Sequence, residues 1–197
     1  MVTKKNIKTV VSSIFSGYSF RKRVTAEPGG DLRVIQMKDL SNRYTAIKTD
    51  TLTTVLSRKI NPNSFLQPGD ILFIAKGAHN YAIVFDLDLP KAVASSAFFV
   101  LRPDPGKIVP GYLAWYLNQS TVQRFFLNNA SGSYMPNVAK TTLERVTVIV
   151  PSEDIQRKIV SIDKLVKKED LLLKRIMQKK FTARKWLITW LGRASMK

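Results

Sequence analysis

The chain has 197 residues, 45% of them hydrophobic, with scattered Gly and Pro, enough for one domain with a buried core plus an appendage. It has no cysteine, which excludes disulfides and thiolate metal sites, and no apolar run near the ~18 residues needed to span a bilayer. Lys and Arg number 32 against 14 Asp and Glu, a net charge of +18, so the expected partner is a polyanion, most commonly nucleic acid.

In chain order, residues 1 to 9 are polar and basic and read as a frayed end. Val10 to Phe20 reads as a strand or turn entering Ser16-Gly17-Tyr18-Ser19-Phe20-Arg21, followed by the triplet Arg21-Lys22-Arg23. Pro28-Gly29-Gly30 marks a loop. Leu32 to Met37 and Thr49 to Leu56, rich in β-branched residues, are strand candidates. The turn Leu66-Gln67-Pro68-Gly69-Asp70 feeds Ile71-Leu72-Phe73-Ile74-Ala75, a buried strand by length and composition, which Lys76-Gly77 ends. Tyr81 to Phe85 and Phe98 to Arg102 complete a β-rich core, separated by the polar pair Ser95-Ser96. Pro110 opens a helix at its first turn that carries Tyr112, Trp115 and Tyr116, and Thr121 to Leu127 forms a second. Asn128 to Asn137 is a loop, Thr141 to Arg145 a turn, and Val146 to Val150 a last strand.

The remainder is a single long helix from Pro151 to about Trp190. A cap at Pro151-Ser152 and the acidic pair Glu153-Asp154 suit its N-terminus, and Gly192 suits its stop. An apolar seam with alternating four- and three-residue spacing runs through Ile155, Ile159, Ile162, Val166, Glu169, Leu173, Ile176, Lys180, Ala183, Leu187 and Trp190. Such a helix is roughly 55–60 Å long, so it should project from its domain and need a partner helix; the alternative is a helix wrapped onto its own domain. The fold class is therefore α+β: a β-rich domain with short helices over 1–150, then a helix over 151–197 that pairs as an antiparallel coiled coil. The basic excess is shared between the parts. Through Pro151 there are 19 basic and 9 acidic residues, net +10, and afterwards 13 and 5, net +8.

Catalytic chemistry has little to build on. One histidine and no cysteine give no His-based zinc site or Cys/His nucleophile pair. Pro105-Gly106-Lys107-Ile108 lacks the upstream Gly and the Ser/Thr of a phosphate-binding loop. No carboxylate cluster suggests a nuclease. The expectation is a non-catalytic protein with no cofactor and no metal.

Nine landmarks in order resemble one family. They are Ser16-Gly17-Tyr18-Ser19-Phe20-Arg21; Val34-Ile35-Gln36-Met37-Lys38-Asp39-Leu40; Pro68-Gly69-Asp70-Ile71-Leu72-Phe73 with Lys76-Gly77; Ala94-Ser95-Ser96-Ala97-Phe98; and Val100-Leu101-Arg102. Pro110-Gly111-Tyr112-Leu113-Ala114-Trp115-Tyr116-Leu117-Asn118, Gly132-Ser133, Leu143-Glu144-Arg145-Val146 and Val150-Pro151 with Gln156-Arg157-Lys158-Ile159 complete the set. Over roughly residues 7 to 180 the chain resembles the DNA-specificity (S) subunit of type I restriction-modification enzymes. The usual member carries two target-recognition domains and two long helices; this chain has room for one of each, and so resembles a half-subunit.

The resemblance implies a cytoplasmic recognition subunit that binds double-stranded DNA and works with methyltransferase (M) subunits and, where the complex also cleaves, a restriction (R) subunit. Two copies joined through the seam Ile155, Ile159, Ile162, Val166, Leu173 and Ile176 would read an interrupted palindrome. Readers of base edges are expected in loops between strands. One candidate loop holds Lys76, His79, Asn80 and Tyr81, where His79 is equally an ordinary loop histidine. Ser133, Tyr134 and Asn137, with Lys140, form a second candidate or an ordinary polar connection. Arg21, Lys22 and Arg23 are candidate phosphate contacts or a solvated face; Tyr112, Trp115 and Tyr116 belong to the core. Two other readings compete: a standalone nucleic-acid-binding regulator, and a basic C-terminal end, Lys179 to Lys197, lying on an anionic membrane surface.

Overall fold

The computed structural model describes residues 3–41, 46–57, 60–77, 80–89, 91–130 and 137–194. The chain divides into two compact units, Met1–Val160 and Ser161–Lys197.

The first unit is α+β. Its central sheet has the order β2-β8-β5-β6, formed by β2 (Val11–Ser16), β8 (Phe98–Pro103), β5 (Ile71–Ile74) and β6 (Ala82–Val84). All three pairings are antiparallel. Strand β5 explains its own sequence. Ile71 and Phe73 enter one core cluster while Leu72 and Ile74 enter another on the opposite face, and all four are fully buried. A strand covered on both faces needs a continuous apolar run rather than an alternating one.

One face is covered by α1 (Pro110–Leu117), α2 (Ser120–Asn129) and the ribbon of β1 (Thr3–Asn6) with β9 (Thr147–Val150). Over the other lies a three-stranded sheet, β4-β3-β7, from β4 (Thr53–Val55), β3 (Leu32–Ile35) and β7 (Ala92–Ala94). In β3, Ile35 joins the shared cluster whereas Leu32 and Val34 turn to a third cluster, capped by Tyr18, Phe20, Val24 and Phe65. Tyr112 is 2% exposed, and Trp115 and Tyr116 are half-buried against the same cluster, which makes all three core residues.

Several boundaries differ from expectation. The N-terminal stretch is not frayed: Thr3–Asn6 pairs antiparallel with β9 from Thr3↔Val150 to Asn6↔Thr147, and Ile7 is fully buried. The expected turn at Thr141–Arg145 is a short helix, α3 (Lys140–Glu144). The strand within Thr49–Leu56 shrinks to β4, and Met37–Asp39 is a 3-10 turn around a fully buried Asp39. That carboxylate accepts hydrogen bonds from the Gln36 N–H at 2.8 Å and the Thr51 hydroxyl at 3.0 Å, which explains its burial.

Helix α4 runs from Glu153 to Ala194. Its first two turns belong to the first unit, where Ile159 and Val160 pack on the core. Gln156, 3% exposed, fixes that start: its Oε1 accepts from Val109 N and its Nε2 donates to the Pro151 carbonyl, both at 2.9 Å. A Cβ at Gly111 would lie 3.0 Å from Val160, so this glycine permits the close approach. In the second unit the seam lies open: Ile162, Val166, Leu173, Ile176 and Leu187 are each 50–60% exposed. The Trp190 side chain lies outside the described residues.

Candidate nucleic-acid interface

Strands β5 and β6 form a hairpin whose outgoing arm, Ala75 to Gly77, is tied to two distant segments. Ala75 donates to the Ala97 carbonyl at 2.9 Å and accepts from Val138 N at 2.9 Å, and Lys76 bridges Asn137 antiparallel. Gly77 has φ +118°, a left-handed conformation that suits glycine as the arm turns. The described ends of the two loops singled out in the sequence are thus backbone neighbours, at Lys76 and Asn137. A fourth segment joins them, since Gly17 N donates to Phe98 O and Tyr18 N to Ala94 O, at 2.9 and 2.7 Å. A Cβ at Gly17 would fall 2.1 Å from the Ser95 carbonyl oxygen, so no other residue fits this crossing.

Side chains divide by exposure. Lys76 is exposed at the bridge, and Asn137 beside it is half-buried. Lys140 is exposed at the start of α3, with Glu144 at 3.7 Å. Arg21, Lys22 and Arg23 are all exposed and line a groove of about 490 Å³ floored by Tyr18, Phe20, Val55 and Ile60. Tyr81 is half-buried against the core. Asn80 differs: it is 2% exposed, and its Nδ2 donates to the Ile74 carbonyl at 3.0 Å, so its amide is committed to the hairpin's own base. His79, Ser133 and Tyr134 lie outside the described residues.

Two further amides escaped the sequence reading. Asn118 holds both backbone groups of Ala82, accepting from its N–H and donating to its carbonyl at 2.8 Å each. Gln123 donates to the Asn80 carbonyl at 2.9 Å and to that of Leu117 at 2.7 Å. Both belong to the α1–α2 region; Asn118 ends one of the landmarks, but nothing local marked either as a partner of the hairpin backbone.

Below the hairpin, Arg102 makes a bidentate pair with the buried Asp70, Nε to Oδ1 and Nη2 to Oδ2 at 2.8 Å each, and also donates to the Phe65 carbonyl. Its guanidinium sits 5.7 Å from the Phe15 ring centroid, and the hydrogen bond to Asp70 pushes it above its ordinary pKa. Just before the central strand of the second sheet, hydrogen bonds from Lys91 and then Ser57 hold the Asp31 carboxyl well below the usual range. Among the described residues no group of three or more His, Cys, Asp or Glu could hold a metal ion. Among them, too, no helix is long and apolar enough to cross a membrane.

Residues 2–179 match the family described as type I restriction modification DNA specificity domain. No curated protein matches in sequence. Among solved structures, the HsdS subunit from Thermoanaerobacter tengcongensis superposes with a TM-score of 0.67 at 14% identity, over 89% of this chain and 44% of that one. The S subunit of the type I restriction-modification system of M. genitalium gives 0.57 at 14% identity, over 85% and 39%. A structure from work on complex assembly and conformational transition of the type I R-M system gives 0.64 at 16% identity, over 91% and 46%. The chain therefore spans less than half the length of each of these structures.

Proposed function

Since the chain belongs to the type I restriction-modification DNA specificity family, we propose that it is a non-catalytic, sequence-specific recognition module. It would direct a cytoplasmic methyltransferase complex, with or without a restriction subunit, to duplex DNA. The observation that carries this reading is the bridge between Lys76 and Asn137, which brings one end of each candidate loop together beyond a strand buried on both faces. An exposed lysine can donate to guanine. Arg21, Lys22 and Arg23 would serve phosphates and so affinity rather than sequence.

Residues 1–150 form the recognition part in this reading, and 151–197 serve pairing, spacing and docking of M subunits. The half-exposed seam supports pairing of two copies. If the dyad falls between Lys174 and Arg175, Glu169 meets Lys180 of the second copy, Ile162 meets Leu187, Val166 meets Ala183 and Leu173 meets Ile176. Burying the remaining half of each large apolar side chain stabilises by on the order of 1 kcal/mol apiece. Two-fold symmetry makes the half-sites identical and inverted, an interrupted palindrome.

The test is a methylation map of DNA from cells expressing the chain with its methyltransferase. An interrupted palindrome is expected; an asymmetric site defeats the homodimer while leaving recognition intact. No sequence-dependent methylation at all defeats both.

A further inference from the structure

We infer that Asn80, Asn118 and Gln123 are positioning residues that set sequence selectivity by bracing the β5–β6 hairpin, without themselves touching DNA. The inference rests on the DNA-reading proposal above.

The geometry is a closed frame of side-chain amides. Across the hairpin's base, the Asn80 amide reaches from the returning arm to the Ile74 carbonyl of the outgoing one. The returning arm is held from the α1–α2 side at two successive points, Asn80 O by Gln123 and both backbone groups of Ala82 by Asn118. On the outgoing arm, Ala75 is fixed between Ala97 and Val138. Backbone groups that leave a ladder must find partners in other backbone, side chains or water. Here side-chain amides satisfy Ile74 O, Asn80 O and both groups of Ala82, while backbone bonds hold Ala75, so both arms are tied below Lys76.

This matters for selectivity rather than affinity. A lysine on a mobile arm still neutralises a phosphate, because that attraction is non-directional, but a base edge is read only at hydrogen-bond distance and angle. Losing the brace should therefore lower discrimination while leaving binding to arbitrary DNA in place. The sequence made Asn80 a reader; its burial makes it part of the support.

The experiment uses the full chain and a randomised duplex library, followed by direct titration of the duplex selected by wild type and of a scrambled one. Gln123→Met keeps the side chain's length but donates no hydrogen bond; Gln123→Lys restores a donor of similar reach. The expectation is that Gln123→Met binds the scrambled duplex within about twofold of wild type, while its preference for the selected duplex falls about tenfold, the worth of one base contact. Gln123→Lys should recover most of that preference, which a merely structural role would not predict. In a companion measurement on DNA-free wild type, the Ala82 amide should be protected from hydrogen exchange, because it already donates to Asn118.

A Gln123→Met chain that selects as sharply as wild type overturns the inference alone. A wild type that prefers no sequence overturns the DNA reading, and the inference with it. Should Gln123→Met fail to fold, exchange decides: an Ala82 amide that exchanges like an open loop before DNA is added means the hairpin is not braced.

Discussion

Replacing Arg102 by Met should destabilise the first unit, and the structure allows the size to be worked out. Arg102 makes two charge-assisted bonds to Asp70 at 2.8 Å and one to the Phe65 carbonyl at 3.0 Å. The Asp70 side chain is 1% exposed and that of Arg102 24%. Removing one partner of a buried pair costs about 3–5 kcal/mol, because the other charge stays buried and unpaired. The partial exposure of Arg102 lets water reach part of the gap, which favours the lower end, about 3 kcal/mol. In a unit of this size each kcal/mol lowers Tm by about 2–4 °C, so a fall of roughly 6–12 °C is expected. Thermal melts of Arg102→Met, Asp70→Leu and the double variant test it. The double variant should regain much of the loss, since no lone charge remains. A fall of less than about 1 kcal/mol in the single variant, or a double variant as weak as the sum of both, refutes the reasoning.

Binding to scrambled duplex should weaken steeply with salt, with a log-log slope near −0.9 per phosphate contacted. Reversing the charges of Arg21, Lys22 and Arg23 should flatten that slope for all sequences alike, whereas Lys76→Ala should change the preferred sequence; a uniform effect from both sets would remove the distinction between them. Ile162→Glu should convert two copies to one in sedimentation, and an unchanged mass would count against the seam. Burial, with Tyr116 beside it, pushes the Tyr112 hydroxyl up to about 12. Its pKa is raised above the unfolded value of about 10, so its contribution is complete below about pH 10 and is lost as pH rises towards 12. In urea unfolding, the gap between wild type and Tyr112→Phe should therefore shrink over that window; a gap independent of pH would contradict this.

What the sequence disclosed follows from burial. The run Ile71 to Ile74 was legible as a buried strand because both its faces are apolar, and the seam of α4 because a helix repeats its face every few residues. Strand β1 was not legible. All four of its residues are exposed, so it carries no apolar alternation, and only its backbone bonds to β9 make it a strand. Strand β7 reads Ala-Val-Ala, whose alanines carry little strand propensity. At the candidate site, sequence could propose the two loops but not that Lys76 and Asn137 pair, because that bridge joins positions far apart in the chain. It also could not tell a loop asparagine facing solvent from one turned inward, which is why Asn80 looked like a reader.

The same physics explains why this scaffold would suit the proposed reading loop. A strand with one polar face can slip by a residue only by exchanging its inner and outer sets, which already fixes its register. In β5 both sets are apolar, so polarity alone would not forbid a slip. The discrimination must come from shape and from its two neighbours. Residues Ile71 to Phe73 pair with Leu101 to Phe99 on one side and with Val84 to Ala82 on the other. Phe73 seats beside Phe126, ring centroids 4.8 Å apart, whereas Leu72 and Ile74 fill the other face. A slip would drive Phe73 into that second face and leave a void beside Phe126, a cavity of the kind that costs several kcal/mol. At the start of the strand, the Arg102–Asp70 pair anchors the turn that feeds it. Beyond its end, the Asn80, Asn118 and Gln123 amides hold the hairpin. In the proposed reading, Lys76 would inherit its position from packing below and from amides beside it, so its own side chain could change without disturbing that support.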